Sequence, residues 1–138
     1  MRVAQITKED WAVLSEKAHL VVFNEKKNAE NDRIDFALVC ENEHEIPMGY
    51  VTCRETDAHT LYWQYGGMFP DTKGSIKSLG VTKKFLEWCK ERYKRVYFQV
   101  ENTNAPMLKM AIACGFVIIG VRNYKGSILV EHILDLEM

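Results

Sequence analysis

The sequence predicts a single α/β (α+β) domain over residues 1–138, with a mixed, mostly antiparallel seven-stranded sheet flanked by about four helices. Three observations carry that prediction. Strand-type apolar patterns recur along the chain, and three of them follow one another with only short polar turns between, which makes an antiparallel meander. Two clear stretches switch to helical spacing, Trp11–Leu14–Ala18–Val21–Val22 and Leu79–Thr82–Leu86–Cys89–Tyr93. The second lies directly between two strand patterns, and a strand–helix–strand crossover makes its strands parallel neighbours. A length of 138 residues is enough to bury a core without disulfide or metal staples.

In chain order, Val3–Ile6 is a short strand. Thr7 stands before Lys8–Glu9–Asp10 as a hydroxyl N-cap with acids in the first turn, and the first helix is expected to run to about Asn24. Glu25–Arg33 is polar and unpatterned, a surface loop or a frayed second helix. The meander follows: Arg33–Glu41, the turn Asn42–Pro47, Met48–Glu55, the turn Thr56–Thr60, and Leu61–Phe69. Gly66–Gly67 inside the last of these is unusual, because paired glycines weaken a strand and mark a bulge or the close approach of another group. Ser75–Tyr93 is the main helix, with Phe85 and Trp88 widening its apolar stripe and Lys83, Lys84, Lys90 and Glu91 on its outer face. Val96–Val100 is the fifth strand. Asn104 then caps a helix with Pro106 in its first turn, and Gly115 ends it. Phe116–Val121 and Ser127–Leu136 close the sheet around the turn Arg122–Gly126.

The formal net charge of −1 disfavours a duplex nucleic-acid binder, which carries a basic excess. That average conceals an asymmetry: nine acidic against four basic residues between Glu25 and Asp57, and three acidic against eight basic between Asp71 and Arg95. Either the two regions suit ligands of opposite sign or they are solvated faces. Cys40, Cys53, Cys89 and Cys114 form no C-x-x-C pair, and the four histidines are scattered, so no metal site is expected and free thiols fit a reducing compartment. No apolar run reaches membrane-spanning length, so a cytoplasmic protein with no membrane partner is expected.

The stretch from Tyr62 to Ser78 organises the rest. An apolar strand ends at Gly66–Gly67, a polar loop Pro70–Asp71–Thr72–Lys73–Gly74 follows, and the main helix begins. Such a strand–loop–helix unit aims free backbone N–H groups at one point with the positive end of the helix dipole behind them, which favours a phosphate. Lys73 and Lys77 add positive charge. An ordinary connection is the plain alternative.

The element order, together with Glu101–Asn102–Thr103–Asn104–Ala105–Pro106–Met107–Leu108 leading to Cys114–Gly115–Phe116, resembles the GNAT superfamily of N-acetyltransferases. Asn104 falls on that family's Asn position, Gly115–Phe116 on its Gly-Phe, and Pro70–Gly74 resembles the run opening its acyl-CoA loop. The specific matches cover about residues 66–78 and 100–116, whereas the fold can be laid on the whole chain. Two departures stand out. Ile76 and Ser78 occupy loop positions that are small in the family, and Ala111 stands where the family often carries a proton-donating Tyr.

The resemblance implies an enzyme that moves an acetyl group from acetyl-CoA to a primary amine of a small molecule or protein. Lys73, Gly74, Ser75, Ile76, Lys77 and Ser78 would hold the phosphates, and Asn104 would contact the pantetheine while capping its helix. A backbone N–H at Gly67–Met68 would polarise the thioester carbonyl. The fourth and fifth strands should splay, which places Glu101 as the general base. Tyr124 in the last hairpin is the candidate proton donor. Tyr62, Trp63 and Tyr65 are candidates for an acceptor pocket, and Glu41, Glu43 and Glu45 in one turn suggest a cationic acceptor. A homodimer is left open. Competing readings are a catalytically degenerate module serving as a structural or interaction protein, supported by Ile76 and Ala111, and, ranked last, a single-stranded nucleic-acid binder using Lys83, Lys84 and Lys90 with nearby aromatics.

Overall fold

A computed structural model describes residues 1–14, 33–69 and 76–137. Its strands are β1 (Arg2–Thr7), β2 (Phe36–Glu41), β3 (Pro47–Glu55), β4 (Thr60–Met68), β5 (Arg95–Glu101), β6 (Val117–Tyr124) and β7 (Ser127–Asp135). Three helices stand among the described residues: α1, helical over 8–14, α2 (Ile76–Lys90) and α3 (Ala105–Ala113). The fourth expected helix, over Glu25–Arg33, and the end of the first fall almost wholly outside the described residues. The seven strands lie in the order β1-β2-β3-β4-β5-β7-β6. Every neighbouring pair is antiparallel except β4 and β5, joined in parallel through the α2 crossover.

The sheet buries both faces, and β2 shows why. Phe36 to Cys40 are all buried, because alternate side chains enter different layers. Phe36, Leu38 and Cys40 join Val81, Phe85, Leu86 and Cys89 of α2 in one cluster. Ala37 and Val39 join Trp11, Ile34 and Tyr50 in a second, where the Trp11 and Tyr50 rings lie 4.8 Å apart. Thus α1 and α2 cover opposite faces. Phe85 and Trp88 belong to the packed side of α2, Trp88 standing 5.6 Å from the Phe36 ring.

Most strand ends fall within one residue of the sequence expectation, and three boundaries differ by three residues. The α2 helix stops at Lys90 rather than Tyr93. Arg92 and Tyr93 close the last turn with N–H groups on the Cys89 carbonyl, and the Tyr93 hydroxyl reaches out to Glu55, 2.6 Å away. Strand β2 begins at Phe36 rather than Arg33. Asp35 is held as a bend, its N–H on the Cys53 carbonyl and its carboxylate accepting from the Glu55 N–H. Strand β6 continues to Tyr124, because Lys125 and Gly126, both with positive φ, make the whole turn in two residues.

The α3 helix follows its sequence signals closely. Asn104 Oδ1 accepts from the Met107 N–H at 3.3 Å, and proline occupies the first turn. At the other end Gly115 adopts φ +89°, the Phe116 N–H donates to the Ala111 carbonyl and the Gly115 N–H to that of Ile112. This is the Schellman arrangement, and it drives Phe116 into the core.

Candidate active site

The site begins at an interruption in β4. Thr52 pairs with Tyr65 but Cys53 pairs with Trp63, so Gln64 is an extra residue on β4. The Thr52 hydroxyl takes over part of the ladder there, accepting the Tyr65 N–H at 3.0 Å. A bulge of this kind bends its strand. The β4–β5 ladder runs only from Thr60↔Arg95 to Trp63↔Phe98. Beyond it, Gly66, Gly67 and Met68 stay with β3, while Val100 and Glu101 stay with β7. The strands part where Gly66–Gly67 and Glu101 had predicted a splay.

The gap opens into a cleft of about 910 Å³. Its walls include Tyr50 and Val51 of β3, Gly66–Met68 of β4, Ser78 and Thr82 of α2, and Met107 and Met110 of α3 with its cap Asn104. The Thr82 hydroxyl donates to the Ser78 carbonyl at 3.0 Å and lies 3.0 Å from Met110 Sδ, tying α2 to α3 beside the cleft. Strand alternation orients the backbone. The N–H groups of Tyr65 and Phe69 point to β3, bonding Thr52 Oγ1 and the Met48 carbonyl. Those of Gly66 and Met68, of opposite parity, therefore point toward the side that β5 has left. The first turn of α2 holds Lys77 and no acid, an order opposed to the helix dipole unless an anion sits before it.

Of the site residues singled out from the sequence, Trp63, Gly66, Gly67, Met68, Ser78 and Asn104 line this cleft together. Ile76 and Lys77 are exposed on the first turn of α2, and Lys73, Gly74 and Ser75 lie outside the described residues. Glu101 is exposed at the end of β5, and its alternation with buried Val100 puts it on the opposite sheet face from the α2–α3 core. Tyr124 lies on β6, two strands from β5, with the Arg122 and Lys125 cations 5.4 and 5.3 Å from its ring centre. Neither residue is part of the cleft wall. Ala111 is buried in the α3 core contact. Trp63 is buried on the α2 face, whereas Tyr62 and Tyr65 are half-buried. Glu41 is engaged by Arg2 at 2.9 Å, and Glu43 and Glu45 are exposed in the β2–β3 turn.

On the face opposite the α2–α3 core is a polar cluster that sequence reasoning missed. The Tyr97 hydroxyl donates to Glu131, Gln99 Nε2 donates to the Tyr97 hydroxyl at 2.7 Å, and Tyr62 packs edge-on against Tyr97 at 5.5 Å. Tyr62 and Tyr97 are paired one residue before the ladder ends, so the cluster borders the gap from behind. Burial and the Glu131 carboxylate raise the Tyr97 pKa, and burial raises that of Tyr62. The signal available was alternation: Tyr97, Gln99 and Glu101 interleave with Val96, Phe98 and Val100 on a central strand. The thiols of Cys40, Cys53, Cys89 and Cys114 are all raised by burial, Cys89 to about 12, so none is a ready nucleophile. Among the described residues no group of three or more His, Cys, Asp or Glu could hold a metal ion, and no helix is long and apolar enough to cross a membrane.

This architecture, a seven-stranded sheet split between a parallel pair and enclosed by helices on both faces, is the GNAT acetyltransferase fold. The chain is similar to the ribosomal-protein-S18-alanine N-acetyltransferase of Escherichia coli, with a TM-score of 0.78 at 8% identity over 99% of this chain and 94% of that one. It is similar to the spermidine/spermine N-acetyltransferase of Vibrio cholerae, with a TM-score of 0.75 at 12% identity over 99% and 95% of the two chains. It is also similar to yncA of Salmonella typhimurium, assigned as an acetyltransferase and solved with its cofactor acetyl-CoA (TM-score 0.67, 15% identity, 98% and 93% covered). No model of a protein family and no curated protein sequence matches the chain.

Proposed function

We propose that the protein is an acetyl-CoA-dependent N-acetyltransferase acting on a primary amine. The observation that carries this reading is the cleft at the parting of β4 and β5, where outward N–H groups, a helix N-terminus and the capped start of α3 converge. Its dimensions and its three methionines, Met68, Met107 and Met110, suit a long flexible apolar arm. Acetyl-CoA supplies an activated acyl group. In this reading the α2 N-terminus, with Lys77 and the preceding Lys73–Ser75, holds its phosphates. Asn104 sits beside the arm, and one of the outward N–H groups, that of Gly66 or of Met68, bonds the carbonyl oxygen as it gains charge.

The acceptor amine would approach from the other sheet face, where Glu101 and Glu131 supply negative charge and Tyr62, Tyr97 and Gln99 supply a wall. Glu101, at the gap's edge, is the candidate base. With Ala111 buried and Tyr124 two strands from β5 and outside the cleft wall, the leaving thiolate would take its proton from water. The same burial of Ala111, with Ile76 exposed at the loop, favours a second reading in which the fold is kept as an interaction module without turnover.

Calorimetric titration with acetyl-CoA, desulfo-CoA and ADP separates the two. Micromolar binding of acetyl-CoA, weakened at least tenfold by Lys73→Ala with Lys77→Ala, is the expected result. No binding of any of the three would overturn the acetyltransferase reading and leave the interaction module.

A further inference from the structure

The two edges of the sheet are finished differently. At the β1 edge the exposed positions are Arg2, Gln5 and Thr7, with Arg2 held by Glu41. At the β6 edge the exposed positions from Val117 to Val121 are apolar, Val117 (60%), Ile118, Ile119 and Val121 (65%), with Ile112, Tyr124 and Ile128 beside them and Arg122 and Asn123 exposed at the strand's end. From Ile112 to Val121 the chain holds no charged residue and no proline. Natural sheets blunt a free edge with lysines, prolines, inward charges or bulges; between Val117 and Val121 β6 has a bulge at Ile119 and none of the other three. An apolar patch of several hundred Å² marks an interaction site.

We propose that β6 is a self-association surface through which two copies of this chain pair edge to edge, antiparallel, about a two-fold axis. This inference is independent of the acetyltransferase reading. Register puts the apolar groups on both sides of the strand. Ile118 and Val121 oppose His132 and Val130 and so share their face, while Val117 opposes Ile133 on the other. A partner strand would therefore cover apolar groups above and below while bonding the outward backbone of β6. A second copy supplies such a strand, since an isologous contact sets the same patch on both sides.

Charge selects the direction. Arg122 and Lys125 lie at one end of β6 and the other end is neutral. Antiparallel pairing keeps the two sets of cations apart, and parallel pairing would set them side by side. The exposed apolar area is on the order of several hundred Å² per copy. With the paired backbone added, it approaches the roughly 800 Å² per partner of a standard stable interface.

The test is light scattering on the purified full chain during size exclusion, at low and high micromolar concentration. The wild type should show twice the 16.0 kDa chain mass, and so should Gln5→Lys at the β1 edge. Val121→Lys and Val117→Lys, on opposite faces of β6, should each halve the mass with an unchanged circular dichroism spectrum. Both positions are exposed, so the folded chain accommodates either lysine. A monomeric wild type at every concentration, or a dimer that survives both lysines, would overturn the proposal. A wild-type monomer that pairs only with a different protein would overturn it equally.

Discussion

The same two strands, β4 and β5, are packed together at one end and apart at the other. In the closed half Leu61 and Trp63 face Val96 and Phe98, and all four are buried in the α2–α3 core. In the open half β4 presents Gly66 and Gly67, which have no side chain to bury, after a bulge at Gln64 has bent the strand away. Parallel strands stay together where burial of both partners holds them. Two glycines and one bulge in β4 accompany the change from closed sheet to open cleft. The closed half should therefore answer to stability measurements and the open half to binding measurements.

The largest expected effect breaks that division from the closed side. Phe98 is 4% exposed, with its ring 4.7 Å from that of Phe116 and 4.8 Å from that of His132. Phe98→Ala should cost about 3–5 kcal/mol, read as a shift of the urea midpoint. Ala113 lines the open half and is exposed. Ala113→Phe should leave the midpoint nearly unchanged while lowering acetyl-CoA affinity at least tenfold. If Ala113→Phe leaves both the midpoint and the acetyl-CoA affinity unchanged, the cleft is not where the cofactor lies.

A smaller effect sharpens the comparison at the back of the gap. Glu131 is half-buried and holds the Tyr97 hydroxyl. Glu131→Gln keeps the shape and a hydrogen bond but removes the charge. For a basic acceptor it should lower kcat/KM about tenfold, roughly 1.4 kcal/mol of transition-state stabilisation. Calorimetric acetyl-CoA affinity and the urea midpoint should hold. A loss of acetyl-CoA affinity instead would place Glu131 in the cofactor site rather than in the acceptor wall.

What was legible in the sequence was whatever is written locally. The Asn104 cap, the Gly115–Phe116 stop and the glycine gap each rest on residues within a few positions of one another, the strand–helix–strand crossover rests on three consecutive segments, and each stands in the structure. What escaped depends on pairing. The bulge at Gln64 exists only relative to Thr52 and Cys53, and Tyr97 and Glu131 are 34 residues apart in sequence. The exposure of the apolar run of β6 follows from the sheet order, which puts that strand at an edge. The turn before β7 looked five residues long because Arg122–Tyr124 are polar, although their exposure comes from that same edge position.

The smallest effect tests whether the closed half is closed to protons as well as to solvent. His132 is fully buried on β7, opposite Phe98, and its ring stacks on the Phe98 ring at 4°. Nδ1 lies 3.1 Å from the Val130 carbonyl, which the neutral ring satisfies by donating from Nδ1, while Nε2 is buried without a hydrogen-bond partner among the described residues. Protonation would bury an unpaired N–H and a charge, so burial lowers its pKa from the ordinary 6.5. The sign follows from proton counting. Above 6.5 neither the folded nor the unfolded ring is charged, and His132 adds no pH dependence. As the pH falls below 6.5 the unfolded ring takes up a proton that the folded one refuses. Stability then declines until the folded value is reached. One proton limits the slope to about 1.4 kcal/mol per pH unit. Urea midpoints measured between pH 7 and pH 5 should fall for the wild type and fall less for His132→Phe. An equal fall in both would show that the ring is reached by water or protons at little cost, and the closed half would then be less sealed than its packing implies.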